Sequence, residues 1–474
     1  MRSLRAIAVA LLLTYPVQAA ELPDLGESAR TGFTAAQEAR LGREIMRQIR
    51  ADRDYLDDPE LSEYLNALGN RLAAASEDPG RRFEFFVVRD ASINAFALPG
   101  GYIGVHTGLI AATRSESELA GVLAHEIAHV TQNHIARIVS VQNNALLPTL
   151  AALAVAILAA RSNSQVSQAA IASAQAYSVQ TQLDFTREHE READRVGFQT
   201  LSRSGLDPSG MATFFERLQT QTRFYENNAP SYLRTHPLNF ERIADMQHRL
   251  QGLPYQQVPD SLEYRLLRTK IQARQGEANE AVKRFASQSF QDEQEEAVRR
   301  YGLALALLRS NQAERAAAEL QAMPRKLGQS PIVLNLAAEV AFARGRAAEA
   351  LGLLRKGLAA NPDAKPLIYA YASGLLRQGQ AESALDLLRQ QLLLYPDDAR
   401  LYELQAQAYQ ALKRPMESHM ALAEAYARRD EYRAAVDQLQ LALKSGDRNF
   451  YRLSMAEARL RQLQAQLERQ EATR

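Results

Sequence analysis

Apolar residues recur at three- and four-residue steps from Phe33 to about Ala75, through Ile45, Ile49, Leu56, Leu61, Leu65 and Leu68, with charges between them. That spacing predicts helix that serves as packing material. The pattern then changes. Phe83 to Val88 is rich in strand formers, and is followed by Ile93 to Leu98, by Pro99-Gly100-Gly101, and by Tyr102 to His106. Short β-favouring runs around a Pro-Gly-Gly turn predict a small antiparallel sheet. A helix is expected from Ser115, since Ser115 with Glu118 three residues on has the form of a capping box.

The second half of the chain repeats itself. Gly276, Asn311, Gly345 and Gly379 occupy equivalent places at steps of 35, 34 and 34 residues, and Ala347, Ala350, Leu351 and Leu354 recur as Ala381, Ala384, Leu385 and Leu388. A 34-residue period with small residues where two helices cross resembles tetratricopeptide repeats. A lone helix hairpin cannot cover its own apolar face, so stacked hairpins bury it together. At least four units are expected between about 262 and 445, the last of them degraded, with Phe450 to Glu468 forming a charged amphipathic helix that caps the stack.

Two segments stand apart from this plan. Arg2 and Arg5 precede an apolar run from Ala6 to Leu13 and the small-residue stretch Val17 to Ala20, which reads as a secretory leader cleaved near Ala19 or Ala20. The apolar run is too short to span a bilayer. Between 138 and 183 the single charge is Arg161. A buried or surface-lying hairpin is expected there rather than a membrane span. It would act as a mobile lid or a membrane or partner contact, or serve as ordinary core helix with a polar loop.

The chain has 474 residues, 46% of them hydrophobic, enough to build real cores. The 56 basic and 55 acidic residues nearly cancel, and removal of Arg2 and Arg5 leaves 54 against 55. No global field favours nucleic acid, so no nucleic-acid partner is expected. Cysteine is absent, which excludes disulfides, thiolate metal sites and a cysteine nucleophile. Any metal must therefore be held by histidine and carboxylate.

Such a set begins at His125-Glu126-Ile127-Ala128-His129, inside the apolar-periodic helix. At 100° per residue His125 and His129 stand 40° apart and one turn up, so both imidazoles can grip one ion. Glu126 then lies beside the ion and can reach a water held there. Zinc lowers the pKa of such a water toward about 7, and the carboxylate can take its proton as it attacks a carbonyl. A third protein ligand is needed. The metzincin extension is excluded, because Gln132 and Ile135 stand where its glycine and third histidine would be. Counting on along the same helix puts His134 on the opposite side, as a solvent-facing or packing histidine. The remaining candidates lie in the charge-dense helix from Arg187 to Gly197, and periodicity alone does not choose among Glu188, Glu190 and Glu192.

HExxH followed some sixty residues later by ExxxD, with Asn94 to Gly101 upstream, resembles the gluzincins that include the prenyl-protein proteases and the HtpX-type proteases. The resemblance implies that Glu190 is the third ligand and that Asp194 accepts a hydrogen bond from a ligand histidine. His189 and Glu192 project away from Glu190 and are left out. The leader and repeats point to a periplasmic, repeat-bearing branch of this family, in which the histidine of Thr235-His236-Pro237 is implied to fill the zinc's open position and hold the enzyme latent. Without the resemblance His236 reads as a loop histidine; a contact to a transition-state oxyanion is a further role. The strand ending at Ala95-Phe96-Ala97 either pairs with an extended substrate or is a plain hairpin.

The fold expected is α+β: a leader over 1–20, a mostly helical zincin-type metallopeptidase domain with a small antiparallel sheet over 21–255, and an α-solenoid of tetratricopeptide repeats over 256–474. The function expected is that of a periplasmic zinc endopeptidase with a chaperone-like role and one Zn²⁺ per chain, which degrades outer-membrane β-barrel proteins or assists their assembly. The resemblance implies outer-membrane proteins as clients and the β-barrel assembly machinery as a partner through the repeats. The alternative is a repeat-based chaperone or assembly adaptor whose metal site stays closed.

Overall fold

The unbroken apolar run Phe85 to Val88 makes sense once both faces of its strand are covered. In the computed structural model, which describes residues 33–141, 187–222, 231–254 and 257–472, strands β1 (Glu84–Val88), β2 (Ala95–Leu98) and β3 (Tyr102–His106) form one sheet in the order β1-β3-β2. Phe85, Val87, Ala95, Ile103 and Val105 face the main core, while Phe86, Val88, Phe96 and Leu98 face Ile45, Met46 and Ile49 of helix α1 (Ala35–Ala51). Alternate side chains on a strand point to opposite faces. The leader, and the low-charge segment from residue 142 onward, lie outside the described residues.

The antiparallel expectation holds for β2 with β3, whose Pro99-Gly100-Gly101 turn has both glycines at positive φ, 81° and 83°. It fails for β1, which runs parallel to β3. The sheet is therefore mixed. Residues 89–94 carry the chain past the place later filled by β3, so β2 lands two strand spacings from β1, roughly 10 Å away, and the hairpin return inserts β3 between them.

Helix α2 (Pro59–Ala74) begins on the Asp58 cap, and α3 (Thr107–Ala112) leads into α4 (Glu116–Thr131). The Ser115 hydroxyl accepts from the Glu118 N–H at 3.1 Å, but the Glu118 carboxylate turns to the Arg114 N–H at 2.6 Å, so only half of the capping box forms. Every residue of α4 is buried. Around it lie α5 (His134–Val141), α6 (Arg187–Arg203), α7 (Ser209–Thr222), the short α8 (Ser231–Thr235) and α9 (Phe240–Gln251). Gly197 of α6 packs directly on the His125 backbone: a Cβ there would lie 3.0 Å from both His125 N and Cα. This glycine lets the two helices that carry the candidate chemistry touch.

Residues 257–472, described throughout, fold into five helix pairs: α10 (Leu262–Arg274) with α11 (Ala278–Ala286), α12 (Glu293–Arg309) with α13 (Ala313–Gln321), α14 (Pro331–Ala343) with α15 (Ala347–Ala360), α16 (Lys365–Arg377) with α17 (Ala381–Leu394), and α18 (Ala399–Ala411) with α19 (Pro415–Arg428). Helices α20 (Tyr432–Leu443) and α21 (Phe450–Ala472) complete the array. Each pair turns on one left-handed residue: Gly276, Asn311, Gly345, Gly379, and then Lys413, at φ between 57° and 73°. Lys413 keeps the 34-residue register after its glycine signal has gone.

The apolar core runs unbroken from the sheet through α4 into α10 and α12. Buried charge lies at the same junction. Lys270 Nζ donates to Asp58 at 2.8 Å and to Glu60 at 2.6 Å, and Asn335 Nδ2 donates to Glu60 at 2.8 Å. Further along, Arg400 pairs with Asp57. First helices from separate repeats, α10, α14 and α18, thus hold the start of α2. No helix among the described residues is long and apolar enough to cross a membrane.

Candidate metal centre

The HExxH turn sits in a helix with no exposed face, so its polar side chains need partners from elsewhere. His125, Glu126 and His129 have no exposed surface, and Glu190 and His236 have about one per cent. His129 Nε2 lies 3.0 Å from His125 Nε2, and His125 Nε2 lies 3.4 Å from His236 Nδ1. Glu190 closes the group: Oε1 is 3.0 Å from His236 Nδ1 and 3.4 Å from His129 Nε2, and Oε2 is 3.5 Å from His125 Nε2. One ligand atom from each of the four residues falls within 4.8 Å of all the others.

This donor set fits a divalent cation. Ring nitrogens turned toward one another at 3.0 Å repel unless a proton or a cation lies between them. Ligand atoms about 2.05 Å from a tetrahedral ion are about 3.3 Å apart, close to most of the separations here. Glu126 stands beside the group, with Oε1 3.5 Å from His236 Nε2. Burial raises its carboxyl pKa above the usual range, against the pull of His236 and His125. The Glu190 carboxyl behaves oppositely. Burial alone would raise it, but the facing imidazoles of His236 and His125 outweigh burial and hold it well below the usual range.

Asp194, one turn beyond Glu190 on α6, lies 3.1 Å from His125 Nδ1. Its other partner was not legible in the pattern. Arg242 donates through Nε at 2.6 Å and Nη2 at 2.8 Å to the two oxygens of Asp194, lies 2.8 Å from Glu190 Oε2 through Nη1, and donates from Nη1 to the Pro237 carbonyl at 2.7 Å. This one guanidinium ties the ExxxD carboxylates to the His236-Pro237 turn. On the sequence Arg242 is one more arginine in an amphipathic helix, and only its place six residues after His236 sets it apart.

Tyr232 was also missed. Its buried ring stacks on His236 with centroids 4.7 Å apart, and its backbone N–H donates to the Ile93 carbonyl just ahead of β2. Phe215 packs edge-on to His125. The expectation for His134 needs correction in its geometry. Helix α4 stops at Thr131, Asn133 turns left-handed at φ 54°, and α5 starts afresh at His134. The 100° count therefore does not carry across, and His134 is a packing histidine, fully buried with Nδ1 2.9 Å from His129 Nδ1.

The profile of Peptidase family M48 matches residues 59–250, and a tetratricopeptide-repeat profile matches 341–408. The β-barrel assembly-enhancing protease of Escherichia coli O157:H7 is 34% identical over 454 residues, covering 94% of this chain and 92% of its own length. The chain belongs to peptidase family M48. The protein of the same name from Yersinia pestis is 32% identical, covering 84% of both chains. The mitochondrial metalloendopeptidase OMA1 of Schizosaccharomyces pombe is 31% identical over 198 residues, 41% of this chain and 54% of its own. The present chain is thus an M48 metallopeptidase with a tetratricopeptide-repeat region, and the expected α+β fold with a following helical array stands. The family implies a metal cofactor.

Proposed function

We propose that this M48 peptidase is a periplasmic zinc endopeptidase acting on outer-membrane β-barrel proteins, with its repeats engaging the β-barrel assembly machinery. The single observation carrying the chemistry is the buried convergence of His125, His129, Glu190 and His236 beside Glu126. Three histidines and one carboxylate whose ligand atoms lie within 4.8 Å of one another favour zinc among the common divalent ions. When bound, the ion polarises the scissile carbonyl and acidifies water. Glu126 takes the proton from water and returns it to the leaving amine, a role suited by its place beside the ligand cluster, 3.5 Å from His236 Nε2. Asp194 and Arg242 keep the His125 ring and the Glu190 carboxylate in place. Strand β2 is an edge strand, and the Ala97 N–H faces Glu126, so an extended substrate can add along β2 with its carbonyl delivered to the site.

The location rests on the leader reading and the clients on the named relatives. The repeats and the near-neutral charge give no reason to expect nucleic acid, and peripheral membrane contact by 138–183 stays part of the proposal. Replacing Glu126 with Gln is the direct test. Zinc content and fold should persist while casein cleavage drops by about 10²–10⁴. Full cleavage by that variant would remove the mechanism.

One observation favours a second reading. A zinc that takes all four donors has no position left for water, which is the pattern of closed sites. His236 must then withdraw before hydrolysis, and an enzyme in which it stays would act as a chaperone or assembly adaptor through its repeats. If the Glu126 variant still promotes β-barrel maturation in cells while deletion of the repeats does not, the adaptor role is primary.

A further inference from the structure

Each histidine of the HExxH turn has a second ring nitrogen, and the structure gives each one a different support. For His125 the support is direct, with Asp194 Oδ1 3.1 Å from Nδ1. For His129 it runs through another ring. His129 Nε2 faces His125 and Glu190, while its Nδ1 faces His134 Nδ1 at 2.9 Å, with ring centroids 4.9 Å apart. His134 Nε2 in turn lies 3.1 Å from Glu192 Oε2, which also accepts from Arg137 Nη1 at 2.7 Å. The His189 ring stacks on His134 at 4.5 Å.

Only one proton arrangement satisfies this chain when His129 binds an ion through Nε2. The metal-facing nitrogen must offer its lone pair, so Nδ1 carries the hydrogen and donates. His134 Nδ1 must accept it, which places the His134 hydrogen on Nε2. That hydrogen points at Glu192, an acceptor held in place by Arg137. Three acids spaced two residues apart on α6 therefore divide the work: Glu190 faces the ion, Asp194 holds His125, and Glu192, projecting 200° from Glu190 on the helical count, reaches His129 through His134. The left-handed Asn133 makes this possible, because it swings α5 back so that His134 meets the HExxH helix.

We propose that His134, oriented by Glu192 and Arg137, is a positioning residue that fixes the tautomer and ring plane of His129 for metal binding. This rests on the reading that His125, His129 and Glu190 hold the ion. Supporting groups of this kind typically contribute about 10–100-fold in metal affinity.

The test is zinc affinity of the purified full chain, measured by competition with a chromophoric chelator, for wild type, His134→Leu, His134→Gln and Glu192→Ala. Glutamine can accept from His129 through its carbonyl and donate to Glu192 through its amide; leucine fills the space and does neither. His134→Leu and Glu192→Ala should weaken zinc by about 10–100-fold, and His134→Gln should stay within a few-fold of wild type. If leucine binds zinc as tightly as wild type, or better than glutamine, the positioning role is overturned and packing explains the residue. Should His134→Leu fail to fold by circular dichroism, Glu192→Ala decides alone, and unchanged affinity there overturns the proposal. Wild type that takes up no stoichiometric zinc defeats the metal reading itself, a result distinct from either of these.

Discussion

Adding one methyl group to Gly197 should disturb the site from behind. The new Cβ would sit 3.0 Å from His125 N and Cα and 3.1 Å from the Ala124 carbonyl carbon, where ordinary contact begins at 3.4 Å. These are backbone atoms of a fully buried helix, so they cannot swing aside as a side-chain tip can. Alanine has a better helix propensity than glycine, which offers about 0.5–1 kcal/mol, whereas forcing extra volume into a packed interior costs about 1–3 kcal/mol. Overpacking wins, and Gly197→Ala should lose about 0.5–2 kcal/mol net. Glu190 lies two turns from Gly197 on α6, about 10 Å along the axis, and Asp194 one turn, so a retreat at the crossing moves both carboxylates away from the histidines. Zinc affinity should fall together with the thermal midpoint. Gly352 supplies the internal control, because it lies within α15 and a Cβ there meets nothing within 4 Å. Gly352→Ala should gain the propensity alone and leave zinc untouched. Thermal unfolding by circular dichroism and chelator competition on both variants decide the matter. If Gly197→Ala gains stability as Gly352→Ala does, with unchanged zinc affinity, the close crossing of α4 and α6 is not what holds the site together.

Replacing Lys270 with Met leaves Glu60 buried without its cation and Asp58 with only Arg274 at 3.1 Å, and should cost about 3–5 kcal/mol by urea unfolding; a loss below about 1 kcal/mol would show that water reaches the junction. Acid should act there too. Burial raises the Asp58 carboxyl, but Lys270 and Arg274 outweigh it, so its folded pKa lies below the ordinary 3.8. The stabilisation it gives is complete above that value and is lost as pH falls through the lower folded one. Wild type should therefore lose more stability than Asp58→Asn between about pH 5 and about pH 3, and equal losses in urea titrations would refute the assignment. Arg242→Lys keeps the charge but cannot fork across both Asp194 oxygens while reaching Glu190. It should lower the thermal midpoint by the equivalent of about 1–3 kcal/mol and weaken zinc, and an unchanged zinc affinity would count against Arg242 as the tie between the two carboxylates.

The chain announced by itself whatever depends on neighbours in sequence. The pairing of His125 with His129 follows from one helical turn, and the positions of Gly276, Gly345 and Gly379 follow from a left-handed turn that glycine accepts without strain. Lys413 shows where that legibility ends, since it is left-handed at φ 57° with no glycine to mark it. Tertiary structure decided what depends on crossing and reversal. The parallel pairing of β1 with β3 comes from a connection that skips a strand position, a long-range choice that β propensity cannot express. His134 joined the site because Asn133 ended the helix on which the periodic count relied. Arg242 became the clamp on Asp194 and Glu190 because α9 packs against α6, and a buried arginine has the same letter as a solvated one. Local spacing fixes which side chains share a turn, but only the packing of distant helices brings a second carboxylate and a second ring within hydrogen-bond reach.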